Sequence, residues 1–497
     1  MRAIRKTYVW GWLSYLLPTS LLFLFVLLKT DASYIYPLDD SYIHLSVAKQ
    51  LVESGIWGIS PGEFAAVSSS PLYTLLLSIL MVILGNQTWL PLVINSFFGG
   101  VLVHWLNQKC VQLGWESALL ILLIPLPFLV LLGMEHTLQL LLVLWWLSLL
   151  DKPKSGAWQT ILAAFLLIGI RYEGLFLIAG SSVLHILHKD WKQLGLHISG
   201  AAIALCGFGL FFWINSGFFF PLSVSGKGGV PGLDLGSWLQ IVRRIAEGLY
   251  DNPFMLLSLC LLLFQLRKWP APPSKTALPL LVAMTLHLAF AAIGGARYEA
   301  YLIGASLFIS LDWFRQIHWQ HLPNQFSKLA HWGLIVCISL PFIIRAAFFS
   351  FQSPVFSQNI YHQQIQMATF LQRHFPNAHC AANDIGAITY FTDIRLTDLT
   401  GLSDPDVRRL RQDGRYTPTA IDSLTQSRQT ELALVHDIWV GSVLPETWVK
   451  IGEWRIPDNR ICADESVSLY ACQQKMVRPL KTAWERFHPE IEKKMGK

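Results

Sequence analysis

The sequence predicts a mostly α-helical protein that crosses a membrane several times and carries a small α/β domain at its C-terminal end. Of its 497 residues, 53% are hydrophobic and only 14% are charged, whereas an average soluble domain has about 25% charged residues. The apolar residues form long runs that are separated by short basic clusters. After Phe349 the composition becomes polar. These observations predict a membrane part, residues 1–351, and a soluble part, residues 352–497.

The first apolar run, residues 8–28, is long enough to cross a bilayer. It has no small-x-small cleavage pattern before Asp31, so we interpret it as an uncleaved membrane helix. Arg2, Arg5 and Lys6 precede it and should keep its start in the cytoplasm under the positive-inside rule.

Further apolar runs bring the predicted number of membrane helices to about eleven, although several are shorter than the usual span of about 20 residues. These runs are residues 89–106, 117–132, 137–150, 157–170, 175–187, 194–214, 253–266, 277–293, 298–311 and 332–349.

The apolar run 71–84 allows two topologies. If it crossed the membrane, Asp151, Lys152 and Lys154 would lie outside. If it lies on the outer surface, the basic clusters between the spans all lie in the cytoplasm, which obeys the positive-inside rule. We therefore expect a helix on the outer surface within a long outer loop, residues 31–88. The soluble part and the polar turns between later spans then lie on that same side.

The stretch Leu38-Asp39-Asp40-Ser41-Tyr42-Ile43 follows the first predicted membrane helix. Adjacent carboxylates are costly in lipid, so we expect Asp39 and Asp40 at a wet surface. Apolar residues at positions 43, 47, 48, 51 and 52 have helical spacing. The carboxylates therefore open an amphipathic helix, whose dipole favours negative charge at that end. A solvated helix cap without a chemical role is the alternative.

Glu135 and His136 lie between two apolar runs. They are either a polar turn at a helix end or an acid and a metal ligand that face the Asp39–Asp40 pair. With Asp40 they are candidate ligands for a divalent cation, because carboxylate oxygens suit Mg²⁺, Mn²⁺ or Ca²⁺. Their spacing matches no dedicated metal motif, so the identity of any cofactor stays open.

Positive residues at the outer turns are candidates for binding phosphate. Arg171 with Glu173, and Arg297 with Glu299, interrupt apolar sequence at two turns. Each pair either fixes helix packing or presents a planar guanidinium that suits a phosphate. Lys227 lies among glycine and serine residues, a composition typical of a phosphate cradle or of a loose loop.

The soluble part, residues 352–497, has short apolar runs between turn signals, such as 432–435 and 467–470, which predict strands. It contains Cys380, Cys462 and Cys472. A disulfide is permitted outside the cytoplasm. Cys462 and Cys472 could bridge a hairpin, but the sequence leaves the pairing open.

Several strings resemble one enzyme family. They are Asp39-Asp40-Ser41-Tyr42-Ile43, Ser70-Pro71-Leu72-Tyr73-Thr74, Gly133-Met134-Glu135, Arg171-Tyr172-Glu173-Gly174 and Lys227, followed by Asn383-Asp384-Ile385-Gly386-Ala387 and Asp398-Leu399-Thr400-Gly401-Leu402. Their order resembles GT-C membrane glycosyltransferases, most closely the bacterial branch that contains arabinofuranosyltransferases and relatives of protein O-mannosyltransferases. The chain departs from that pattern at Tyr172, where Pro is usual, and at His136, where Thr is usual.

The resemblance implies transfer of a hexose or pentose from a polyprenyl-phosphate donor. The acceptor would be a cell-envelope glycan, lipid or protein at the outer face of the cytoplasmic membrane. By similarity, Asp39 is the general base, and Asp40 orients the acceptor or binds a cation. Lys227, then Arg297 and Arg171, would contact the donor phosphate, where charge develops. The supporting candidates are Tyr42, His44, Glu135, His136, Glu173, Tyr298 and Glu299.

Two other classes of function are compatible with the composition. A transporter or flippase of a lipid-linked or anionic solute would place polar residues near the bilayer midplane, often in repeated halves. Here the polar residues are predicted on one face, and the sequence shows no repeat, which favours the enzyme. A catalytically inactive relative that acts as a scaffold is disfavoured by the intact Asp39 and Asp40. The net charge of +6, spread over short clusters, does not indicate a nucleic-acid partner.

Overall fold

The computed structural model describes residues 2–110, 115–151, 156–225, 235–267, 272–316 and 324–496. Within these ranges the chain is mostly helical and has a small sheet near its C-terminal end, which confirms the predicted mostly α-helical fold with a small C-terminal α/β part. The helices before this sheet region are α1 (Arg2–Lys29), α2 (Asp40–Ser54), α3 (Pro71–Leu84), α4 (Leu90–Lys109), α5 (Glu116–Leu123), α6 (Leu126–Leu131), α7 (His136–Leu150), α8 (Ala157–Ile170), α9 (Gly174–Leu187), α10 (Trp191–Ser216), α11 (Leu222–Ser225), α12 (Leu235–Asp251), α13 (Pro253–Leu266), α14 (Pro272–Phe290), α15 (Ala300–Gln316) and α16 (Asn324–His362).

Four of the described helices, α1, α4, α10 and α16, are long and apolar enough to cross a membrane by themselves. The pair α12 and α13, bent by 104°, provides a fifth crossing if it forms one broken span. Helices α7, α8 and α9 are apolar but have only 14 or 15 residues, which is about 21–23 Å of helix. The chain is therefore a multi-pass membrane protein, and the count of about eleven spans stays a prediction.

The predicted span 117–132 forms two short helices, α5 and α6, rather than one continuous helix. That this stretch crosses the membrane stays a prediction. The break lies at Ile124 and Pro125, between the two helices. Proline has no backbone N–H to continue the helical hydrogen bonds. Both helices are nevertheless buried among their neighbours.

Helix α3 packs against α2 and α8. Its 14 residues reach about 21 Å, less than the hydrocarbon core of about 30 Å. Two hydrogen bonds hold its start: Ser70 Oγ donates to the carbonyl of Ile170 at 2.5 Å, and Tyr73 Oη donates to the carbonyl of Gly133 at 3.0 Å. The α3 start is thus joined to two of the polar turns between helices.

The C-terminal region is a small α/β domain built on a five-stranded sheet with strand order β2-β1-β3-β5-β4. Strand β1 is parallel to β2 and β3, whereas β5 is antiparallel to β3 and β4. All seven cysteines of the chain are free. The elements are α17 (Gln364–His374), β1 (His379–Ala382), α18 (Gly386–Phe391), β2 (Arg395–Asp398), α19 (Pro405–Gln412), α20 (Pro418–Ser427), β3 (Leu432–Val435), α21 (Asp437–Val440), β4 (Val449–Arg455), β5 (Ser466–Ala471) and α22 (Val477–Lys494).

Helix α16 has 39 residues and runs without interruption through the predicted boundary between residues 351 and 352. Helix α16 therefore connects the membrane part to the C-terminal domain. A second connection is lateral, because α18 packs against α2. The segment 31–88 and the C-terminal domain also share one apolar core, in which Val47 and Trp57 lie with Phe370, Leu434 and Trp454.

The sheet has a topological switch point between β1 and β3. The chain leaves β1 towards β2 on one side and returns to β3 on the other side. In open α/β sheets such a point leaves a crevice at the carboxyl ends of the two strands. Here Asn383 follows β1 and His436 follows β3, and they exchange two hydrogen bonds, of 3.2 and 3.0 Å. We call this place the switch-point crevice.

Candidate active site

An exposed carboxylate and an anchored arginine meet at the start of α2. Asp40 Oδ2 lies 2.8 Å from Nη1 of Arg297. The Asp40 side chain is 40% exposed, whereas that of Arg297 is 13% exposed. Arg297 also donates from Nη2 to the Tyr298 hydroxyl at 2.9 Å, and its guanidinium lies 4.5 Å from the centre of the Tyr298 ring. The pair combines a carboxylate that solvent or substrate can reach with a cation of fixed orientation.

Glu299 stabilises the turn that carries Arg297. Gly294 and Gly295 have φ values of 113° and 66°, in the left-handed region that favours glycine. Glu299 accepts hydrogen bonds from the Gly294 amide, from Asn252 and from Arg345, at 3.1, 3.0 and 2.9 Å. Glu299 and Arg345 are both buried. Glu299 therefore fixes the turn rather than facing the exposed carboxylate.

Arg171 is buried between two glutamates. It donates to Glu135, and it donates twice to Glu173, with Nη2–Oε1 at 2.6 Å and Nε–Oε2 at 3.1 Å. Its guanidinium lies 5.5 Å from the centre of the Tyr298 ring. The two glutamates offset its positive charge, so Arg171 supports the site from beneath Tyr298.

His44 and His136 complete this buried layer. His44 Nδ1 lies 3.2 Å from the hydroxyls of both Ser68 and Thr74, and its Nε2 lies 3.4 Å from Glu135. The His136 ring meets the Tyr298 ring edge-on, with centroids 6.1 Å apart. In the part of the chain that the structure describes, neither ring nitrogen of His136 has a hydrogen-bond partner.

Tyr42 faces away from this layer. Its ring is buried against Tyr36, Tyr390 and Phe391, and its hydroxyl accepts a hydrogen bond from the Tyr36 amide at 3.3 Å. It belongs to the contact between α2 and α18. Lys227, the first predicted ligand of the donor phosphate, lies outside the described residues.

The predicted cation ligands Asp40, Glu135 and His136 do not form a metal centre in the structure. Over the described ranges, no group of three or more His, Cys, Asp or Glu side chains could hold a metal ion. Asp40 is paired with Arg297, and Glu135 is paired with Arg171.

Asp39 points in a different direction from Asp40. Its carboxylate accepts the backbone N–H groups of Gly386 and Ala387, at 2.6 and 2.8 Å. The side chain is only 7% exposed and lies in hydrogen-bonding contact with Asp384. Burial and the neighbouring Asp384 charge raise the pKa of Asp39 well above its ordinary value. The predicted base is therefore docked in the C-terminal domain.

Asp384 and His436 lie in the switch-point crevice, beside Asp39. Asp384 Oδ2 lies 3.7 Å from His436 Nε2 and accepts a hydrogen bond from Gln364 at 2.6 Å. Burial alone would raise the pKa of Asp384, but the positive charge of the nearby His436 and the hydrogen bond from Gln364 outweigh burial, so that pKa is lowered. Sequence reasoning missed both as site residues; the available signal was their position directly after two parallel strands.

The C-terminal domain and the whole chain match different known proteins. A family model described as "Domain of unknown function (DUF8728)" matches residues 358–470. This match covers most of the C-terminal domain and gives it no activity. No curated protein matches the sequence.

Two solved structures match nearly the whole chain. Both are crystal structures of ArnT from Cupriavidus metallidurans, one bound to undecaprenyl phosphate and one in the apo state. The first has a TM-score of 0.51 and 12% identity, and covers 94% of this chain and 99% of ArnT. The second has a TM-score of 0.53 and 10% identity, and covers 94% of this chain and 98% of ArnT.

The chain has the fold of ArnT. ArnT is a GT-C family glycosyltransferase that depends on undecaprenyl-phosphate sugars. The predicted resemblance to GT-C enzymes is thus confirmed at the level of the fold. The match extends through the membrane helices and the C-terminal domain. The ArnT-like architecture therefore includes the part that contains Asp39 and Asp40 and the domain that Asp39 contacts.

Proposed function

We propose that the chain is a membrane glycosyltransferase that moves a sugar from a polyprenyl-phosphate donor to an acceptor at the outer face of the cytoplasmic membrane. The observation that carries this proposal is the exposed Asp40 carboxylate beside Arg297, on the fold of an enzyme whose structure holds undecaprenyl phosphate. Sugar transfer needs a base for the acceptor and positive charge at the leaving phosphate. Asp40 and Arg297 supply these two groups at adjacent positions.

We assign the role of general base to Asp40 rather than to Asp39. Asp40 is 40% exposed, whereas the Asp39 carboxylate is occupied by Gly386 and Ala387. A base must come within hydrogen-bonding reach of the acceptor hydroxyl. Only the Asp40 carboxylate offers an approach from the solvent side.

The reaction follows from this pair. The acceptor oxygen attacks the anomeric carbon, its proton passes to the Asp40 carboxylate, and the bond between that carbon and the phosphate oxygen breaks. Polyprenyl phosphate leaves with the bonding electrons. Arg297 contacts the phosphate and stabilises the charge that develops on it. When the donor phosphate engages Arg297, it replaces Asp40 as a partner of the guanidinium and releases the carboxylate for the acceptor.

The remaining candidates support this arrangement. We propose that Lys227 is a second ligand of the donor phosphate. Arg171, Glu135, Glu173 and His44 form the charged layer that holds Tyr298 beneath Arg297. The same proposal places the C-terminal domain and the acceptor on the outer side. A single-sided active site of this kind is what an enzyme acting on a lipid-linked donor requires.

The test is a transfer assay on the full chain with a panel of polyprenyl-phosphate sugars. Asp40→Asn keeps the size of the side chain but removes the base, so turnover should fall by roughly 10²–10⁴ while donor binding is kept. Asp39→Asn should retain much more activity. Glu53→Gln is a matched control, because Glu53 is an exposed acid near the other end of α2.

The outcomes separate the assignments. If Asp40→Asn transfers sugar normally and Asp39→Asn is inactive, the general base is Asp39. Normal transfer by both variants would remove the acid pair from the chemistry. An absence of transfer by the wild type from every donor of the panel would reject the glycosyltransferase proposal itself.

A further inference from the structure

The switch-point crevice of the C-terminal domain holds a residue of the membrane part. We infer that Asp39 is a positioning residue: its contact with the crevice fixes the start of α2 and thereby holds Asp40 against Arg297. This assigns a role to the domain that is described only as a domain of unknown function. The inference rests on the proposed function, because it explains how Asp40 is held for transfer.

The contact is close and specific. The two amides that bind the Asp39 carboxylate lie 347 and 348 residues further along the chain. A Cβ atom added to Gly386 would lie 2.2 Å from the Asp39 carbonyl oxygen and 2.7 Å from its Oδ2. Such distances do not occur between real atoms without a shift. Position 386 therefore needs glycine because Asp39 approaches the backbone at this point.

Asp39 occupies the switch-point crevice. In open α/β sheets, the carboxyl ends of the strands at a switch point form the usual binding crevice. Here Asp384 borders the Asp39 carboxylate, with His436 and Gln364 behind it. Asn383 ties the two loops of the crevice together. The membrane part thus supplies the acidic group that fills this crevice.

Further contacts extend the same interface along α2. Ser46 Oγ lies 2.8 Å from Thr389 Oγ1 and donates to the Gly386 carbonyl at 3.3 Å. Lys49 forms an ion pair with Asp393 at 2.9 Å. Of these contacts, that of Asp39 adjoins Asp40, whose Cα lies one residue away, about 3.8 Å. Displacing Asp39 therefore displaces Asp40, and a misplacement of about 1 Å in an active site can cost roughly 10²-fold in rate.

The test compares variants on the two sides of the contact, in the full chain. Gly386→Ala pushes on Asp39 without changing any group of the membrane part. We expect faster hydrogen exchange at residues 386–391, a fall in kcat of roughly 10–10²-fold and little change in the donor KM. Asp393→Asn is the matched control: it weakens the same interface at its other end and should leave kcat near the wild-type value.

A second comparison keeps the inference testable if Gly386→Ala fails to fold. Asp39→Asn retains an oxygen that can accept an amide N–H, whereas Asp39→Ala does not. A positioning role predicts that the asparagine variant keeps far more of kcat than the alanine variant. If Asp39 were the base, both variants would be equally inactive, and that result would overturn the inference.

The exchange measurement also separates this inference from the proposed function. If the wild type transfers no sugar, but Asp39→Ala still raises exchange at residues 386–391, the docking contact stands and the assigned reaction fails. If transfer is found and Gly386→Ala leaves kcat at the wild-type value, the reaction stands and the positioning role fails. Unchanged exchange in Asp39→Ala would show that the crevice does not depend on Asp39.

Discussion

Asp39 and Asp40 are adjacent in the sequence, yet their carboxylates have different partners and different exposure. Asp39 accepts two backbone amides in a buried crevice, and Asp40 faces a guanidinium at an exposed edge. Successive residues at the start of a helix point about 100° apart, because a turn contains 3.6 residues. One acid of the pair can therefore serve the fold while its neighbour serves the chemistry.

Arg297 allows a direct test of the donor site. Arg297→Gln removes the charge and the planar fork, and a charge-assisted hydrogen bond contributes about 1.5–3 kcal/mol. We therefore expect the affinity for polyprenyl phosphate to fall about tenfold or more. The measurement is a titration of the purified full chain with polyprenyl phosphate, followed by the rise in its thermal unfolding temperature.

The control for this titration is Arg243→Gln, because Arg243 is 79% exposed and pairs only with Glu247 on α12 among the contacts the structure describes. It removes the same charge from an exposed helix surface. Equal affinity in the wild type and in Arg297→Gln would move the phosphate site away from Arg297 and leave Lys227 as the first candidate.

At the scale of elements, the crevice between β1 and β3 has a pH-dependent contribution to stability. Burial alone would lower the pKa of His436, but the negative charge of Asp384 and the hydrogen bond to the Ser466 carbonyl outweigh burial, so the pKa is raised. The unfolded value is about 6.5. The stabilisation is therefore fully present below that value and is lost as the pH rises through the raised pKa.

We expect His436→Gln to lower the unfolding temperature of the full chain most at pH about 5–6 and least at pH about 9. Asp384, whose pKa is lowered, stays ionised throughout this range. Asp39 is present in both proteins, so the difference between them isolates His436. A difference that does not change with pH would mean that the pKa of His436 is the same in the folded and the unfolded chain.

The sequence predicted helix α2 and a helix over the apolar run that forms α3, because helical spacing and a Ser-Pro start are local signals. It did not predict the break between α5 and α6. The span was predicted from apolar composition alone, and composition does not show that a proline ends a helix. It identified Asp39 and Asp40 as candidate site residues, but it did not predict which residues they contact. Gly386 is separated from Asp39 by 347 residues, and no local pattern connects them.

Arg345 shows the same limit in the membrane part. It lies within a predicted span, where an isolated arginine is costly, and no partner for it could be predicted. The structure pairs it with Glu299, and both side chains are buried. Whether two charged side chains are buried as an ion pair depends on how their helices pack. The spacing of residues along one helix does not predict this packing.

At the scale of the whole molecule, the proposed function requires Asp40 and the C-terminal domain on the same outer side. Helix α3, about 21 Å long, should then lie on the surface without crossing. We expect a cysteine in Gln87→Cys to react with an impermeant thiol reagent from outside, and one in Gln108→Cys to react only from the cytoplasm. Both glutamines are exposed in the structure.

The labelling is best done in a background without the exposed native cysteines, Cys206, Cys260 and Cys337. A second reporter at Asp413→Cys, an exposed position after α19, should match Gln87→Cys. Labelling of Gln87→Cys only from the cytoplasm would mean that α3 crosses, and it would separate Asp40 from the side assigned to the acceptor.

The docking of Asp39 also has a consequence in time. The ribosome makes Asp39 early and must add 347 more residues before Gly386 exists. At about 5–20 residues per second, that interval is roughly 20–70 s. Throughout it, α1 can insert into the membrane, but the acidic loop has no crevice to occupy. Under the role proposed for Asp39, a nascent chain cannot start sugar transfer during membrane insertion, and a chain that terminates before Gly386 stays inactive however well its membrane helices assemble.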